Sequence, residues 1–139
     1  MTILVFAEKT NSLIELCNGA RQLGGRAEAV VIGELDPSFA DKVWSIPQQA
    51  DVMFEDYTET IAAIVEKVKP RLLLVEPTKR CKLVAGRLAA ILGASVITDA
   101  SELTSDGEAK HMVYGGAAVR KEKAVTAVSI ITVGSGVFA

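Results

Sequence analysis

The chain is poor in several residue types at once. Aromatic residues make up 5% of its 139 positions, cysteine occurs twice, histidine once and proline four times. Two cysteines, Cys17 and Cys81, exclude a disulfide scaffold, and they form no metal-spaced pair. One histidine with two distant cysteines cannot build a structural zinc site. Neither sign of charge dominates: 17 acids against 15 bases leave a net charge of −2. A nucleic-acid binder needs a basic face, so that class is set aside. No apolar run approaches the ~18 residues of a membrane span; Glu8 closes the first one early. The first residues carry no basic segment and no cleavage site, so the expected location is the cytoplasm.

What the chain does have is aliphatic. Half of it is hydrophobic, and its mean hydropathy is +0.32. That excludes disorder and demands a core of Val, Ile, Leu and Ala. The length suits one domain, expected to run from 1 to 139.

The pattern alternates. Ile3–Ala7 reads as a buried strand. Asn11 or Ser12 offers a helix cap, followed by the stripe Leu13, Leu16, Cys17, Ala20 and a stop at Gly24-Gly25. Ala27–Ile32 is a second strand, closed by Gly33. Asp36-Pro37 starts a short helix, Trp44–Pro47 is extended, and Val52–Phe54 is a short strand candidate. Asp56 and Glu59 stand at capping-box spacing before the stripe Ile61, Ile64, Val65, Val68, which Pro70 ends. Leu72–Val75 is a strand. Pro77-Thr78 leads into a helix with Val84, Leu88, Ile91 and Leu92 on one face and Gly93 as its cap. Such alternation predicts a parallel sheet with right-handed crossovers. Beyond Gly93, Ser95–Ile97, Met112–Val119 and Val125–Val133 read as strands. Their links, Thr104–Gly107 and Arg120–Lys123, are too short for crossover helices. The predicted class is α/β: a three-layer, mostly parallel sheet flanked by helices, finished by antiparallel strands.

Candidate chemistry centres on Thr78, Lys79, Arg80 and Lys82, where a parallel strand gives way to a helix. Ligands of open α/β sheets sit outside the carboxyl ends of strands. Free amides at a helix start attract anions, and three cations add to that. A phosphate or a partner's carboxylate fits this spot; so does a merely solvated first turn. No glycine-rich phosphate loop is present. Gly115 and Gly116 sit inside a strand pattern, where glycine marks a bulge or a close approach. Tyr114 beside them offers an amphipathic ring. His111 has no triad partner at motif spacing, Cys81 lacks a base or second cysteine nearby, and Asp99 reads as a turn cap or a cofactor contact. No catalytic residue is assigned.

Lys69-Pro70-Arg71-Leu72-Leu73-Leu74-Val75 runs into Pro77-Thr78-Lys79-Arg80 and Ala85-Gly86-Arg87-Leu88-Ala89. Val96-Ile97-Thr98-Asp99, Met112–Ala118 and Ile130–Phe138 follow. With the opening Ile3–Glu8, this succession resembles the N-terminal domain of the electron transfer flavoprotein alpha subunit, the family that includes the FixB proteins. The resemblance spans the whole chain. It implies an adenine nucleotide alpha hydrolase-like fold. It further implies an electron carrier subunit, not an enzyme, acting with FAD and paired with a beta-like subunit. Two departures stand out. Cys81 replaces a usual glycine, and the chain stops where the FAD-binding C-terminal domain of the family is expected. FAD is therefore expected in the assembled complex rather than on this chain alone, with the flavin domain on another chain or a longer product. The cofactor contacts expected here are Thr78, Lys79, Arg80, Lys82, Tyr114, Gly115 and Gly116. An isolated chain would have the option of a homodimer. Two alternatives remain: a stand-alone domain of universal-stress-protein type binding AMP or ATP, and a ligand-free interaction module.

Overall fold

The computed structural model describes residues 2–32, 40–47, 54–100, 102–103, 108–113, 118–123 and 128–133. The expected helix at Asp36, the turn Thr104–Gly107, and Tyr114, Gly115 and Gly116 lie outside them, as does Val52-Met53 of a suggested strand.

Strands β1 (Thr2–Phe6), β2 (Arg26–Ile32), β3 (Lys42–Ile46), β4 (Leu72–Val75), β5 (Ser95–Ala100) and β9 (Ser129–Val133) form one six-stranded sheet in the order β3-β2-β1-β4-β9-β5. Every pairing in it is parallel. Parallel neighbours need a crossover, which explains why apolar strands alternate with helices along the chain. Among the described residues three α-helices supply crossovers: α1 (Thr10–Gln22), α2 (Thr58–Val68) and α3 (Lys79–Leu92).

Strand alternation sorts the core into two faces. Ile3, Val5, Leu72, Leu74 and Ile131 point to one side, against Leu13, Leu16, Cys17 and Ala20 of α1. Leu4, Phe6, Leu73, Val75 and Ile130 point to the other, against Ile61 and Val65 of α2 and Val84, Ala85 and Leu88 of α3. The three-layer α/β class is thus as expected, with every residue of β4 buried.

Several local details differ. Helix α1 begins at Thr10, one turn's fraction before Asn11 and Ser12, with Lys9 as its N-cap and no side-chain cap of its own. A carboxylate from another loop meets that end instead. A 3-10 turn, Phe54–Tyr57, precedes α2, so Tyr57 rather than Asp56 stands at the N-cap position. The carboxyl end of α2 is reached at Val68, and Lys69 takes the left-handed conformation at φ 53°, before Pro70. In α3, Ile91 is 50% exposed and leaves the buried stripe, which Ala85 joins. Gly93 caps α3 at φ 63°, as expected.

The largest difference lies after β5. Met112–Val119 is not one strand. Strands β7 (Glu108–Val113) and β8 (Ala118–Lys123) pair antiparallel from Val113↔Ala118 to Glu108↔Lys123, with β6 (Glu102–Leu103) on the far side of β7. Arg120–Lys123, read as a polar link, makes up the last four of the six residues of β8. These form a separate three-stranded sheet. Strand β9 then returns between β4 and β5, parallel to both. The antiparallel sheet therefore takes the place of a crossover helix, and its Leu103 packs on the α1-side core.

At the opposite edge, Trp44 of β3 donates its indole N–H to Glu28 Oε1 at 2.8 Å. Lys42 and Lys67 sit over its ring, at 4.2 and 5.4 Å from the centroid. Glu28 is a buried carboxylate, partnered also by Arg26 at 3.4 Å. A buried charge needs such partners, and charged side chains on an edge strand discourage stray pairing.

Candidate functional site at the carboxyl ends of the strands

Strand β1 pairs with β2 on one side and β4 on the other. The connections leave β1 and β4 in opposite directions across the sheet, so a crevice opens between them at their carboxyl ends. Two short loops line it: Ala7-Glu8-Lys9 entering α1, and Glu76-Pro77-Thr78 entering α3. The loops stay in register because Glu76 N–H donates to the Phe6 carbonyl at 3.1 Å.

Each loop sends a carboxylate to the other. Glu76, only 4% exposed, has its Oε2 3.4 Å from the Lys9 amide at the start of α1. Glu8 Oε1 accepts the Thr78 hydroxyl at 3.3 Å. Thr78 Oγ1 in turn accepts the Cys81 amide at 3.2 Å, which makes Thr78 the N-cap of α3. A helix start carries partial positive charge, and an acid there is favourable. At both helix starts in this crevice the chain provides its own acid.

The predicted site residues divide accordingly. Thr78 is committed to Glu8 and to the Cys81 amide. Lys79 and Arg80 are exposed on the first turn of α3, and Lys82 is half-buried. Cys81 is fully buried, and burial, helped by the charges of Glu76 and Glu8, pushes its thiol up to about 11 against the lowering effect of the Thr78 hydrogen bond. Cys17 is likewise pushed up to about 11, chiefly by burial. Both thiols stay protonated at neutral pH, which removes them as nucleophiles. The residues not singled out from sequence are Glu8 and Glu76. Their signal was positional: each follows an apolar strand and precedes a helix start on adjacent parallel strands.

A dinucleotide such as FAD brings phosphates. The inner wall of this crevice does not fit them, because Glu8 and Glu76 already occupy the helix starts with negative charge. Lys79 and Arg80 are exposed on the first turn of α3, after the Thr78 cap.

Comparison with known proteins decides the family. The electron transfer flavoprotein domain family model matches residues 3–139. The chain belongs to that family. It is 35% identical over 147 residues to protein FixB of Salmonella paratyphi A, covering 99% of this chain and 47% of the relative. Against protein FixB of Escherichia coli O127:H6 it is 36% identical over 146 residues, covering 98% and 47%. The chain thus spans about half the length of the curated relatives it matches. The resemblance to the alpha-type, FixB-like proteins read from the sequence is borne out. A solved long-chain acyl-CoA carboxylase superposes on 87% of this chain, and on 16% of its own, with a TM-score of 0.41 and 17% identity; that likeness carries no argument. Among the described residues no helix is long and apolar enough to cross a membrane.

Proposed function

We propose that this domain serves electron transfer in the cytoplasm as the scaffold and pairing part of an alpha-type electron transfer flavoprotein subunit. In this reading it acts with a beta-like subunit, and FAD is held mainly by a second domain of the same product or of another chain. The flavin, when bound, supplies the redox chemistry; the protein positions it and tunes it. No bond-making step falls to this domain, so it is an electron carrier subunit and not an enzyme.

The observation that carries the reading is the pair of crossed carboxylates. A fold of this kind offers a ligand its helix starts at the strand order switch. Here Glu8 and Glu76 stand at those two helix starts. A domain whose ligand crevice is closed by its own acids suits scaffolding better than phosphate binding. For the same reason, a stand-alone domain binding AMP draws less support.

Contacts to the cofactor or the beta-like partner are assigned to Lys79, Arg80 and Lys82 on the first turn of α3, behind the Thr78 cap, and to Tyr114, Gly115 and Gly116, which lie outside the described residues. The experiment is reconstitution. Combined with a beta-like subunit and the flavin domain, the chain completes a complex that passes electrons from a reduced dehydrogenase to a dye acceptor. Omitting this chain abolishes transfer. Equal rates with and without it remove the proposal.

A further inference from the structure

At the amino ends of β4, β9 and β5, the opposite end of the sheet from the crevice, the structure holds a hollow of about 530 Å³. Its wall is apolar: Val65 and Pro70 from the end of α2, Leu92 and Ala94 from the end of α3, and Val128 just before β9. All five are buried or half-buried. Gly93, the cap of α3, adds bare backbone, with no atom within 4 Å of where a Cβ would lie. A volume of this size is in the range of small-molecule sites, where a largely apolar wall meets a few placed polar groups.

Two charged side chains line the same hollow, Glu66 and Lys69. Both are exposed. They stand three positions apart, a spacing at which opposite charges on a helix can pair. They do not pair with each other, and among the described residues neither side chain has an ion pair or a hydrogen bond. The helix ends add a direction, since each carries partial negative charge that a cation relieves. Helix α2 has Lys67 in its last turn and Lys69 at its cap, whereas α3 has no basic residue in its last turn. A positive group is therefore favoured between Glu66 and the end of α3, and a negative group beside Lys69.

We propose that this hollow binds an α-amino acid with an apolar side chain. Its ammonium lies between Glu66 and the end of α3, its carboxylate meets Lys69, and its side chain rests on Val65, Leu92, Ala94 and Val128. A simple amine or a simple acid would use one of the two charges, and a hydrocarbon neither. The site needs no flavin and no second subunit, so it stands apart from the electron-transfer reading.

The test is a titration of the purified, isotope-labelled chain with L-phenylalanine, followed by its backbone amide resonances. Phenethylamine, which lacks the carboxylate, and 3-phenylpropanoate, which lacks the ammonium, serve as controls. The amino acid is expected to bind with a dissociation constant of about 1 mM or tighter and to shift the amides of Val65, Leu92, Ala94 and Val128. Glu66→Gln and Lys69→Gln each weaken it about threefold, the size of an exposed charge pair. Ala94→Leu, which fills the hollow, weakens it about tenfold or more. Circular dichroism shows whether each variant is folded; the two charge variants change exposed side chains and carry the test even where Ala94→Leu unfolds the chain. Three results overturn the proposal: no shift at those four amides up to about 10 mM; either control binding as tightly as the amino acid; or affinity indifferent to both charge variants.

Discussion

Glu8 and Thr78 lie 70 positions apart in the chain and are joined by a 3.3 Å hydrogen bond across the carboxyl ends of β1 and β4. The same hydroxyl holds the Cys81 amide. One side chain thus ties the first loop of the fold to the start of α3, the longest helix among the described residues. Thr78→Val removes both bonds and leaves a helix-start amide without its cap. The expected cost is about 1 kcal/mol, rising to about 2 because the tertiary bond goes as well. Thr78→Ser keeps the oxygen and most of the stability. Urea unfolding of the three proteins measures this directly.

Two glycines predict opposite signs for one substitution. A Cβ on Gly25 would lie 2.5 Å from Ile3 Cδ1 and 2.7 Å from its Cγ1. Ile3 is fully buried in β1, so it has little room to yield. Gly25→Ala destabilises by about 1–3 kcal/mol, the usual range for overpacking. Gly86 lies inside α3 with open space about it. There alanine lowers the entropy cost of the helix, and Gly86→Ala gains about 0.5–1 kcal/mol. Thermal melts in dilute solution separate the two.

The buried thiols set an alkaline limit. Cys17 and Cys81 are both raised from 9.0 to about 11. Above pH 9 the unfolded chain loses these protons while the folded chain keeps them. The unfolded state then binds fewer protons, so stability falls as pH rises. The contribution is complete below pH 9 and is lost progressively toward pH 11. Denaturation midpoints across this window are expected to drop, and replacing both cysteines with alanine flattens that part of the profile. In the native protein at pH 8, thiol reagents react slowly until denaturant is added.

Much of the fold was legible because burial on both faces leaves a plain mark. Leu72–Val75 is entirely apolar and became β4, the interior strand that joins β1 to β9. Helix ends were legible where a residue caps its own helix, as Thr78 and Gly93 do. They were missed where a distant group does so: Glu76 reaches the start of α1 from 67 positions away. The C-terminal half misled for a related reason. Lys110 and Lys121 face each other across β7 and β8, so the chain forms strands where its composition reads as polar link. Strand propensity depends on context, and cross-strand partners are invisible in one dimension.

The candidate site was half legible. Lys79, Arg80 and Lys82 announced a cationic helix start, and the topology put it at the strand switch. Glu8 and Glu76 read as ordinary loop acids, since only the pairing of β1 with β4 brings them together.

The central claim is that this domain scaffolds a flavin held elsewhere. Its most direct measurement is flavin content by visible absorption, taken on the chain purified alone and on its complex with a beta-like subunit and the flavin domain. The account predicts a colourless chain, unaltered by incubation with FAD, and a yellow complex with one flavin per assembly. Tightly bound, stoichiometric FAD on the chain alone would contradict it.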